Sequence, residues 1–72
     1  MYILQEIQTN DTTTSLVPAT TYSDKNKAEA AYHTALAAAA VSKVPVHTVV
    51  LFDEHGTVVK RDFYEHIPKE GE

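Results

Sequence analysis

No cysteine occurs among the 72 residues, so neither a disulfide framework nor a thiolate metal site can support the fold. Large apolar side chains are few, and alanine supplies much of the hydrophobic fraction. Each alanine buries little area, so the core contribution per residue is modest. A chain of this length makes one domain, near the lower limit for a self-sufficient core, and dimerisation is one remedy for such a chain.

Basic residues are also scarce. Lys25, Lys27, Lys43, Lys60, Arg61 and Lys69 are dispersed, and the formal net charge is −4. Binding to nucleic acid through phosphate neutralisation is therefore not expected. No apolar run reaches membrane-spanning length, and the N-terminus lacks the charged-then-apolar design of a signal peptide. No membrane association is expected, and cytoplasmic residence is the default.

Motifs that carry chemistry are missing too. There is no glycine-rich phosphate loop, no G-x-S-x-G elbow and no paired-carboxylate motif. His33, His47, His55 and His66 are numerous for the length, but none lies within four residues of another, so no metal spacing is formed. The expectation is a non-enzymatic protein with no catalytic residue, no cofactor and no metal.

What is present centres on Ser23 to Ser42, SDKNKAEAAYHTALAAAAVS, which reads as the one helix. Ser23 or Asp24 is suited to cap its N-terminus, and Val44-Pro45 to end it. Ala28, Ala31, Tyr32, Ala35, Leu36 and Ala39 form a continuous stripe at helical spacing, suited to packing on a sheet. A second set, Ala30, Thr34, Ala37, Ala38 and Val41, repeats that spacing on a neighbouring face. The helix charges, Lys25, Lys27 and Glu29, are confined to the first turns. Alanine there serves helix propensity; alternatively, its small side chain lets a second copy of the helix approach.

The rest is extended in character. Tyr2 to Gln8 reads as a first strand, with Ile3, Gln5 and Ile7 on one face and Tyr2, Leu4 and Glu6 on the other. Residues 9–12 form a turn by composition. Thr13 to Tyr22 returns as a strand whose Pro18 assigns it to a sheet edge or a bulge. Val46 to Asp53 is apolar on both faces and so central. Residues 53–56 make a hairpin turn with Gly56 free to adopt positive φ. Thr57 to Tyr64 forms the last strand, its Lys60-Arg61-Asp62 run protecting an edge.

The fold is thus α+β, in the order ββαββ, with a four-stranded antiparallel sheet of order 2-1-3-4 and one helix on one face. Residues 1–64 make the domain and 65–72 a flexible tail. One helix covers one face only, so the other exposes either Leu4, Val50 and Phe52 or Ile3, Ile7, Val49 and Leu51. Either set is a sizeable apolar patch, the mark of an association or ligand site.

The segments YILQEIQT and TYSDKNKAEAAYHTALAAAAVSKVPVHTVVLFDEHGTVVK resemble short uncharacterised proteins of Gram-positive gut bacteria and their phages or mobile elements. The likeness covers nearly the whole chain and is most specific in AEAAYHTALAAAAVSKVPVHTVV. It implies small size and a phage-related context, and it transfers no functional residue.

The leading functional expectation is a protein-interaction module acting as a homodimer, with a host protein as a further partner if the mobile-element context holds. Its interface draws on Ala30, Thr34, Ala37, Ala38 and Val41 of the helix and Leu4, Val50 and Phe52 of the sheet. The alternative is a small-molecule, nucleotide-like ligand held at a subunit interface by residues such as Tyr32, His33 and His47.

Overall fold

Apolar alternation in the strands and a single apolar stripe on the helix leave few ways to bury both, and the chain uses the simplest. In the computed structural model, which describes residues 1–10 and 13–66, strands β1 (Tyr2–Thr9) and β2 (Thr14–Tyr22) precede helix α1 (Lys25–Ala40). Strands β3 (Val46–Asp53) and β4 (Val58–Glu65) follow it. The four strands form one antiparallel sheet in the order β2-β1-β3-β4, as the strand and edge signals require.

Asp24 caps the helix. Its carboxylate accepts the amides of Asn26 at 2.7 Å and Lys27 at 3.3 Å, two of the donors left orphaned in a first turn. The expected stripe faces the sheet: Ala28, Tyr32 and Ala39 are buried, and Ala31, Ala35 and Leu36 pack against them. Alanine at 28 and 39 lets the helix backbone sit close to the strands. The core is completed by Leu4 from β1 and by Val49 and Leu51 from β3.

The helix ends earlier than the proline signal implied. Its last residue is Ala40, with Val41 as the cap, four residues before Pro45. The Val41 and Ser42 amides close the last turn on the carbonyls of Ala38 and Ala39, and tertiary bonds add to them. Nε2 of His66 lies 2.8 Å from the Ala39 carbonyl oxygen, and the Ser42 hydroxyl turns to His47.

Pro18 lies on an edge strand and also at a bulge. Leu4 pairs with Thr20 and Glu6 with Val17, so β2 carries one extra residue at Pro18-Ala19. The Gln5 amide fills the gap by donating to the carbonyls of Val17 and of Glu6. The other edge, β4, has its own bulge: Leu51 pairs with Lys60 and Phe52 with Val58, leaving Val59 over. Both edges are therefore poor templates for strand addition.

The hairpin between β3 and β4 is built as expected. Gly56 takes φ 83°, and Asp53 Oδ1 accepts the amides of His55 at 2.8 Å and Thr57 at 2.9 Å. The expected tail needs correction at its start. Glu65 pairs with Val46 in the sheet, and the His66 amide donates to the Pro45 carbonyl at 2.6 Å. The remainder of that segment lies outside the described residues.

Candidate interaction surface

Residues opposite one another in an antiparallel ladder share a face, so the β1–β3 register decides what the helix covers. Leu4 lies opposite Leu51 and Glu6 opposite Val49. This face, with His47, points under the helix. Ile3 lies opposite Phe52, Gln5 opposite Val50 and Ile7 opposite Thr48, and this face has no layer over it among the described residues. Grouping Leu4 with Val50 and Phe52 is thereby corrected. Leu4 is a core residue, 9% exposed, whereas Val50 and Phe52 are half-buried on the bare side.

The bare face is an ordered apolar surface. Across the sheet, Leu16, Ile7, Thr48 and Phe63 are successive partners, as are Thr21, Ile3, Phe52 and Val58. Leu16 is 66% exposed, Val58 55% and Phe63 47%. Ile3 and Ile7 were candidates for exposure beforehand, whereas Leu16, Val58 and Phe63 were not. Their signal was present in the alternation of β2 and β4, but the bulges at Pro18-Ala19 and Val59 shift that alternation partway along each strand.

The second helix face is also open. Ala30, Thr34, Ala37, Ala38 and Val41 are all exposed, and the Thr34 hydroxyl donates back to the Ala30 carbonyl at 3.0 Å. Of these, only Val41 presents a large apolar group. The sheet face offers more apolar area per residue.

The residues expected to hold a ligand do not converge on a surface. Tyr32 and His47 are each 4% exposed and belong to the interior, while His33 is exposed, its ring edge-on to Tyr32. Burial, then the charge of Asp62, then Tyr64 hold the Tyr32 phenol above its ordinary pKa. His47 is fully engaged: Nε2 lies 2.9 Å from Glu6 Oε1 and Nδ1 lies 3.1 Å from Ser42 Oγ. This chain of side chains ties the segment after the helix to both central strands, a role that calls for satisfied polar groups in a core. Sequence reading missed it because its members are 5 and 41 residues apart.

A shallow open groove of about 350 Å³ lies elsewhere, lined by Gln8, Asn10, Ser15, Lys43, Val44 and Pro45. It includes none of Tyr32, His33 and His47. No group of three or more metal-ligating side chains gathers among the described residues, and no helix among them is long and apolar enough to cross a membrane. Neither a family model, nor a curated protein, nor a solved structure gives a significant match to the chain.

Proposed function

We propose that this protein is a small non-enzymatic interaction module that acts as a homodimer, the bare face of its sheet packed on the same face of a second copy. The observation that carries this reading is the set Ile3, Ile7, Val50 and Phe52, flanked by exposed Leu16 and Phe63, on a face that no other described residues cover. An apolar patch of this kind marks an association site, and a sheet packs readily on another sheet about 10 Å away.

The edges support face-on rather than edge-on association. A bulge interrupts each outer strand, and β4 adds Lys60, Arg61 and Asp62. Four strands of seven paired residues span about 19 by 23 Å, roughly 400 Å² in plan. That is small beside the roughly 800 Å² each partner contributes to a standard interface, so a weak, concentration-dependent association is expected. A host protein occupying the same face is the second partner class, consistent with the phage-like resemblance. The nucleotide-like ligand reading has weaker support, since two of its three expected residues are buried.

Sedimentation equilibrium across the micromolar range tests the proposal. A concentration-dependent monomer–dimer equilibrium is expected. A monomer throughout contradicts it.

A further inference from the structure

The homodimer reading leaves the orientation of the two copies open, and the charges on the bare face select one. Among the described strand residues that face carries two charges, Arg61 opposite Val50 and Glu65 opposite Val46. They have opposite signs and lie on one strand with Phe63 midway between them. Four residues of strand separate them by about 13 Å, too far to pair within one subunit.

From this spacing we infer that the two copies are related by a two-fold axis running across the strands at Phe63. Rotation about that axis turns one sheet face onto the other and reverses its strands. Phe63 then meets Phe63 of the second copy, and Arg61 of each copy meets Glu65 of the other. A two-fold interface must be self-complementary in this way. The alternative two-fold axis, parallel to the strands, sets β4 over β2, which brings no charge against either residue.

The same rotation overlaps the rows from Val46 to Val50 and leaves the row of Ile3, Phe52 and Val58 beyond the partner's strands. Ile7 and Leu16 share the Phe63 row and meet their own copies, and Val50 meets Val46. Because β4 is an edge strand, the two ion pairs lie at the rim, where charge sets register and association rate more than affinity. The pairs therefore act as a registration device on an apolar contact. Raised salt weakens the dimer only modestly.

The test is a pair of charge reversals, Arg61→Glu and Glu65→Arg, each checked for native circular dichroism and studied by sedimentation equilibrium. Alone, each variant places like charges together twice in its dimer, so each should dissociate about tenfold to a hundredfold more readily than the parent. Mixed in equal amounts, the two variants restore both opposite-charge pairs, and a heterodimer of near-parental affinity should form. The double reversal in one chain should likewise restore the homodimer. A parent that dimerises while the single reversals dimerise equally well overturns this orientation and leaves the homodimer reading standing. Weak single variants whose mixture stays dissociated also overturn the orientation. A parent that is monomeric throughout overturns both.

Discussion

Ile3 and Phe52 lie directly opposite each other across the two central strands, and both side chains leave the sheet on the side away from the helix. One residue further along, Leu4 and Leu51 are opposite each other and enter the core. The two pairs have similar hydrophobicity and different surroundings, so truncating them should have separable effects. Leu51→Ala empties a fully buried site and should cost about 2–5 kcal/mol, a large part of the roughly 4–10 kcal/mol available to a chain of this size. Phe52→Ala should cost roughly 1–2 kcal/mol and should leave association nearly unchanged, since its row lies outside the overlap about Phe63. Urea unfolding at low and high protein concentration measures both.

The link from Glu6 through His47 to Ser42 predicts a second stability effect. His47→Ala leaves the Glu6 carboxylate and the Ser42 hydroxyl without their shared partner, and should cost about 1–3 kcal/mol. Ser42→Ala removes one neutral hydrogen bond and should cost about 1 kcal/mol. Chemical denaturation measures both. If His47→Ala were neutral, this network would not hold the end of the helix.

The hairpin turn predicts an acid dependence. The Thr57 amide does most to hold the Asp53 carboxyl below its ordinary value of 3.8; partial burial works against it, and the His55 amide adds to it. A carboxyl whose folded pKa lies below its unfolded one stabilises the fold above the unfolded value, and that contribution is lost as pH falls through the folded value. Melting temperature should therefore fall below about pH 4, and Asp53→Asn should flatten that part of the curve. Thermal melts of both proteins across the acid range decide the point.

Tyr32 predicts the opposite limb. Its phenol is raised above 10.0, by burial first and then by Asp62 and Tyr64. Its contribution is complete below the unfolded pKa and is lost as pH rises through the folded one. Tyr32→Phe should remove that alkaline loss, measured as melting temperature at rising pH. Retention of the full alkaline slope in the phenylalanine variant would contradict the assignment.

Most of the fold was legible because its signals are local. Helical spacing from Ala28 to Ala39 named the buried stripe, Asp24 the cap, Gly56 the turn, and Pro18 together with the Lys60-Arg61-Asp62 run the two edges. The identity of the bare face was not legible, since it depends on whether Leu4 pairs with an odd- or an even-numbered residue of β3. That parity is a long-range property: a one-residue slip exchanges the faces of a strand, and both faces of β3 are apolar. The bulges hid Leu16, Val58 and Phe63 for the same reason. The early helix end was hidden because His66, whose ring reaches the Ala39 carbonyl, acts from outside the helical pattern.

The helix face gives a control. Ala37→Arg and Ala38→Arg sit on exposed positions of a helix, and arginine is nearly as good a helix former as alanine. Both should leave stability within about 0.5 kcal/mol and association unchanged if the sheet face is the contact. Loss of the dimer in these variants would move the interface to the helix.

Sedimentation equilibrium of the parent beside Phe63→Lys and Leu16→Lys is the most direct measurement of the account as a whole. Leu16 is 66% and Phe63 47% exposed in the single subunit, so a lysine at either should leave the monomer folded. The parent should pass from monomer to dimer with rising concentration, while both variants stay monomeric with unchanged circular dichroism. A parent that stays monomeric, or variants that dimerise as the parent does, would show that the bare sheet face is not where two copies meet.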